Sequence, residues 1–177
     1  MSRSLEDLNP EFRQPLIRSM KAAELIDIHM VPYETERHVW RQAKLWRQSR
    51  TTSKIREMQN FLRVQGAGYL ADVIESVGPQ KGQWATNAIP GMSWHQWGLA
   101  ADLYWDKNGD EPGGVEWMDL TGYRLFAEIT KIHGLTSGYF WKSRDAVHIQ
   151  MPKDGTPKMT IQNISDAMKD RYGDKHP

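Results

Sequence analysis

Residues 93–102 read SWHQWGLAAD, and how this stretch folds decides what the chain can do. His95 and Asp102 stand seven positions apart with Gly98 between them. On a continuous helix that spacing shares a face but leaves ~10 Å along the axis. On a continuous strand the two side chains point to opposite faces and lie further apart still. Neither arrangement lets both hold one ion at ~2 Å. The chain must turn, and Gly98 is placed to turn it. Beyond the turn, Leu99 to Trp105 reads as a strand. Leu99, Ala101, Leu103 and Trp105 then face a core, while Ala100, Asp102 and Tyr104 lie on an open face. Ala100 leaves room for a ligand beside Asp102, and His95 folds back over that face from its loop.

A site needs a third ligand, and RDAVHIQM at 144–151 offers one. With Val147 and Ile149 inward, His148 points outward with Gln150, and Asp145 stands at the entrance to the strand. Two histidines and one carboxylate leave a fourth zinc position open, which distinguishes catalytic sites from closed structural ones. One Zn2+ per chain is therefore expected on His95, Asp102 and His148. Asp145 is placed to take a proton from water and pass it to a leaving amine. Taken singly, each residue has a plainer explanation: a strand histidine is commonly a hydrogen-bonded structural residue, and an aspartate can cap a turn. His29, His38, His133 and His176 lack such company and read as structural. Asp106, Asn108 and Asp110 faintly suggest a calcium loop, but its twelfth position is Trp117 rather than glutamate, so a surface turn is expected.

The 177 residues, 39% hydrophobic and 25% charged, suit one globular domain able to bury its own core. The absence of cysteine excludes disulfides, thiolate metal sites and a cysteine nucleophile. Eight tryptophans serve cores first, but such rings also line clefts for sugars and peptides. The opening MSRSLEDLNPEFRQPL has no apolar signal region, and no later stretch is apolar for long enough to cross a bilayer. The expectation is cytoplasmic synthesis without a signal peptide and no membrane insertion. Between Arg37 and Arg63 eight basic residues face a single Glu57. A solvated helical face explains them first, and attraction to a polyanion, nucleic acid or cell wall, second.

Asn9 and Pro10 start a helix expected to reach about Leu25, disturbed at Pro15. Ile26 to Tyr33 reads as a short strand broken near Pro32. Thr35 is expected to cap a helix carrying Trp40, Ala43, Leu45 and Trp46. Ser53 is expected to cap another that buries Ile55, Met58, Phe61 and Leu62. Gly66 and Gly68 interrupt before a stripe of Leu70, Val73, Ile74 and Val77. A loop over 78–93 leads to the metal motif. A helix over Leu120–His133, strands at Gly138–Trp141 and Val147–Met151, and a terminal helix at about 160–172 complete the reading. Helices early and short strands late give an α+β fold. Residues 1–177 are expected to form a single domain with a helical insertion at about 52–85.

S-x-H-x-x-G-x-A-x-D at 93–102 followed by D-x-x-H at 145–148 resembles the LAS-type zinc peptidases. These include D-alanyl-D-alanine carboxypeptidases of the vancomycin-resistance type and L-alanyl-D-glutamate endopeptidases of phage endolysins. RHVWRQAKLWRQSRT at 37–51 resembles the family's N-terminal helix, which begins with a substrate-facing arginine, here Arg37, and carries a glutamine five residues on, here Gln42. ATNAIPGMSWHQWG at 85–98 and SGYFWKSRDAVHIQ at 137–150 resemble the approach to the metal motif and the closing segment, the latter with Trp141 ahead of the acid. The resemblance covers about residues 5–150. It implies a small antiparallel sheet carrying the zinc site, with helices around it. It implies zinc on His95, Asp102 and His148, and Asp145 as general base and acid. Arg37 would steady a substrate carbonyl or carboxylate, Ser93 would hold the loop or touch substrate, and Gln42 and Trp141 would bind substrate. Ser49 departs from a frequent glycine, and some thirty residues separate Thr51 from Thr86 where many relatives have a short link.

The expected function is cleavage of peptidoglycan stem peptides, foremost as an L-alanyl-D-glutamate endopeptidase of phage or prophage endolysin type. LEDLNPEFRQPL resembles the opening of such members, and release through membrane holes fits the lack of a signal. D-Ala-D-Ala carboxypeptidase activity is the near alternative. A catalytically silent, zinc-containing cell-wall binding module is the alternative from another class. The expected partner is peptidoglycan, with no specific nucleic acid, and the chain is expected to act as a monomer.

Overall fold

A computed structural model describes residues 2–107, 115–116, 119–152 and 159–173. The calcium-loop reading at Asn108, Asp110 and Trp117, and His176, lie outside these residues. In chain order the principal elements are α1 (Pro10–Glu24), β1 (Met30–Glu34), α2 (Val39–Arg47), α3 (Thr52–Val64), α4 (Gly68–Ser76), β2 (Ala100–Asp106), β3 (Val115–Glu116), α5 (Thr121–Ile132), β4 (Thr136–Ser137), β5 (His148–Gln150) and α6 (Ile161–Tyr172). The class is α+β with an antiparallel sheet, as expected. By its contacts the chain divides into two compact units, residues 1–36 with 97–154 and residues 37–96 with 155–177.

The first unit holds the sheet, whose strands run in the order β1-β2-β5-β4, with β3 pairing β2. All pairings are antiparallel. Helix α1 begins as expected, with the Asn9 side chain accepting from the backbone N–H of Glu11 and Pro10 in the first turn. It runs through Pro15 without ending. Strand β1 corrects the sequence reading: it starts at Met30 and continues through Pro32, where the register shifts between Pro32 and Glu34. Among the described strands, β1 pairs with β2 alone, and proline is tolerated on such an edge because no ladder bond is lost there. Leu8, Phe12, Leu16, Ala101, Leu103, Tyr123, Phe126 and Ile149 join in one buried cluster. The expected core face of β2 is therefore right. Its other face is not open along its length, because Ala100 and Tyr104 are also buried.

The second unit is helical. Helix α4 buries Leu70, Ala71, Val73 and Ile74 and packs against α2, α3 and α6. Two caps differ from expectation. Helix α2 starts after His38, and Thr35 lies outside it, fully buried. Thr51, not Ser53, caps α3 by accepting from the N–H of Lys54, while Ser53 donates to Glu57. The expected α3 stripe is narrower, since Ile55 and Leu62 are buried but Phe61 is 51% exposed. Ser49, where the sequence reading notes a departure from glycine, has φ of 55°. That is a left-handed conformation, which glycine adopts without a steric penalty. The basic run is partly internal. Arg47 donates to Ile74 O, Arg50 lies over the Trp46 ring and donates to Thr86 O, and Arg63 pairs with Asp72 and Glu75.

Candidate metal centre

Strands β2 and β5 set two of the expected ligands side by side. Asp102 and His148 are direct partners in the antiparallel register. The Asp102 Oδ1 to His148 Nδ1 distance is 2.9 Å, and the two side chains are only 13% and 12% exposed. His148 Nε2 lies 3.1 Å from Gln150 Oε1. Burial pushes the His148 imidazolium down, but the hydrogen bond and charge of Asp102, the charge of Asp145 and the Gln150 side chain outweigh it. The net effect is a pKa raised above the ordinary 6.5.

His95 comes from a single 3-10 turn, Trp94–Trp97, and is 2% exposed. The turn that the spacing demands is made at Gly98, with φ of 67°. A side chain there would meet the backbone of the N-terminal segment: a Cβ would fall 2.8 Å from Asn9 N, and the Asn9 N–H donates to Gly98 O at 2.9 Å. Glycine is thus needed for its conformation and for its lack of bulk. One ligand atom from each of His95, Asp102 and His148 lies within 4.8 Å of the others. Two imidazoles and a carboxylate, largely buried, form a nitrogen and oxygen donor set of the kind that suits zinc and leaves a coordination position open.

The remaining expected residues sit as follows. Asp145 is solvent-exposed, three residues before His148, and its charge reaches that imidazole. Trp141 is 39% exposed, with its ring centroid 5.2 Å from that of His148. Ser93 is buried, and its N–H donates to Gln96 Oε1. Arg37 donates to Gln42 Oε1 at 3.2 Å, and the wholly buried Gln42 donates to Ala88 O at 2.7 Å.

Sequence reasoning missed Gly138. The segment expected as a strand at Gly138–Trp141 is a 3-10 turn over Gly138–Phe140, and the strand is Thr136–Ser137 before it. The N–H groups of Asp145 and Trp141 both donate to Gly138 O, and the N–H of His148 donates to Asp145 O. A Cβ on Gly138 would fall 2.5 Å from Asp145 O and 3.3 Å from His148 Cβ. The loop carrying the acid closes directly onto this glycine. A glycine between a strand and three aromatic residues was the available signal.

Two imidazoles and a carboxylate, with the exposed Asp145 three residues ahead of His148, form a donor set suited to a mononuclear metallopeptidase. Residues 5–151 match the family model VanY, described as D-alanyl-D-alanine carboxypeptidase, and the chain belongs to that family. No curated protein matches. Among solved structures, a vancomycin-resistance D,D-pentapeptidase VanY mutant in complex with Zn(II) is 18% identical, over 81% of this chain and 72% of that one, with a TM-score of 0.47. The Serratia marcescens L-Ala D-Glu endopeptidase ChiX is 19% identical, over 85% and 87%, with a TM-score of 0.44. VanYB in complex with D-alanine-D-alanine is 17% identical, over 93% and 78%, with a TM-score of 0.48. The family assignment rests on the sequence match. No helix among the described residues is long and apolar enough to cross a membrane.

Proposed function

We propose that this protein is a mononuclear zinc peptidase that cuts L-alanyl-D-glutamate bonds in the stem peptides of bacterial peptidoglycan. The observation that carries the peptidase chemistry is the grouping of His95, Asp102 and His148 within 4.8 Å, with Asp145 just ahead of His148. Zinc held there supplies a Lewis acid that polarises a carbonyl and makes water easier to deprotonate. Asp145, exposed and tethered through its backbone to Gly138 O, takes the proton and delivers it to the leaving amine. Arg37 steadies negative charge on the substrate. Gln42, being buried, acts on substrate through Arg37 rather than by touching it. Trp141 gives the substrate an exposed indole to lie against, and Ser93 keeps the metal loop in shape.

The choice of bond is supported by the N-terminal segment. LEDLNPEFRQPL resembles the opening of endolysin-type members, and here Leu8 and Phe12 enter the core while Asn9 braces Gly98. A second reading, removal of a terminal D-alanine, is supported by the description of the family. Mass spectrometry of fragments released from purified peptidoglycan, as isolated, with chelator and with zinc restored, tests both. Chelator-sensitive release of peptides beginning with D-glutamate supports the endopeptidase, and loss of only terminal D-alanine supports the carboxypeptidase. Zinc binding without any new fragment overturns both and favours a binding module.

A further inference from the structure

The family match ends at residue 151, before helix α6. This helix is nonetheless built into the unit that carries His95. The Thr160 side chain caps it, Ser165 and Met168 on its inner face are buried, and it packs against α4. At its last turn Tyr172 Oη donates to Gln96 O at 3.0 Å. That carbonyl belongs to the residue after His95, near the end of a 3-10 turn, where carbonyls lack partners within the turn itself. The Tyr172 ring also lies 4.3 Å, centroid to centroid, from His38, and the neighbouring Arg37 N–H donates to His95 O. Gln96 ties the same loop from inside, its Oε1 accepting from Gly91 N at 2.8 Å and from Ser93 N at 3.3 Å. Ile164 of α6 packs against Gly91, where a Cβ would fall 2.5 Å from Ile164 Cγ2.

We infer that α6 is a positioning element for the metal loop, with Tyr172 holding the Gln96 peptide and Ile164 seated on Gly91, so that His95 is preorganised to bind zinc. The inference rests on the reading of His95 as a zinc ligand. A helix that only covered apolar surface would need neither a hydroxyl aimed at the Gln96 carbonyl nor a side chain fitted to Gly91. Partners of this kind, acting one step behind the ligand, orient it before the metal arrives.

The test is the zinc dissociation constant of the full chain, measured by chelator competition without substrate. The proteins compared are the parent, Tyr172→Phe, Ile164→Ala and an exposed α6 control, Asp166→Asn. Tyr172→Phe keeps the ring and is expected to weaken zinc about tenfold, near the value of one net hydrogen bond. Ile164→Ala is expected to weaken it by a smaller factor, and Asp166→Asn to leave it unchanged. Far-UV circular dichroism should be unaltered in Tyr172→Phe. Zinc affinity within twofold of the parent in both Tyr172→Phe and Ile164→Ala overturns the inference and leaves α6 a packing element. His95→Ala, measured alongside, separates the two failures: if it binds zinc as tightly as the parent, the ligand assignment itself is wrong.

Discussion

Replacing Gly138 with alanine should damage the reaction more than the fold or the metal. The new methyl would start 2.5 Å from Asp145 O, 3.1 Å from Asp145 Cβ and 3.3 Å from His148 Cβ. Real Cβ atoms essentially never approach within 3.0 Å, so the Asp145 carbonyl must retreat by at least half an ångström. The contact is with backbone, which cannot swing aside as a side chain can. The same movement stretches the Asp145 N–H to Gly138 O bond, now 2.9 Å. Overpacking of this kind costs about 1–3 kcal/mol of stability. A reacting group displaced by about 1 Å loses on the order of 100-fold in rate, so a shift of half that size or more should cost roughly 10- to 100-fold in kcat/KM. His148 is held by β5 pairing as well as by this loop, so zinc stoichiometry should persist. The assay is kcat/KM on a soluble stem peptide, alongside zinc content and urea unfolding. Unchanged kcat/KM together with parent stability would refute the argument that Gly138 sets the place of Asp145.

Three further outcomes are expected. Asp145→Ala should keep its zinc but lose at least about 100-fold in turnover, measured on the same peptide, because the proton carrier is gone. His148→Ala should lose zinc and activity together, and retained stoichiometric metal would show that another residue is the third ligand. The raised pKa of His148 has opposite consequences for the apo and zinc-loaded protein. Stability from a raised histidine is fully present below the unfolded value near 6.5 and is lost as pH rises through the folded value, so this contribution to the stability of chelated protein should decline across that window. Zinc requires the neutral imidazole, so its affinity should rise over the same window. Unfolding of chelated parent and His148→Gln at several pH values isolates the first effect, and a parent that gains stability relative to the variant as pH rises contradicts it.

The start of α1, strands β2 and β5, and the grouping of His95, Asp102 and His148 were legible because they rest on strong local rules. The Asn9–Pro10 start, the alternation through Leu99–Trp105 and the outward placement of His148 each follow from one periodicity or one cap. The demand for a turn at Gly98 followed from distance alone. Cap positions were less legible where hydroxyl residues crowd together. Thr51, Thr52 and Ser53 are adjacent, and only the backbone conformation selects Thr51. Pro32 was read as a strand breaker because edge placement on the sheet is a tertiary fact. Gly138–Trp141 looked like a strand because aromatic residues favour strands, whereas the approach of Asp145, seven residues along, decides its shape. The burial of Gln42 and the reach of Tyr172 to Gln96 join residues far apart in sequence, and no local pattern encodes them.

The most direct test of the account is zinc-edge X-ray absorption on the metal-reconstituted full chain, compared with Asp102→Asn and His148→Ala. One zinc per chain with two imidazole nitrogens and one carboxylate oxygen, lost or altered in both variants, is the predicted result. Zinc bound with an unchanged ligand shell in those variants would contradict the account.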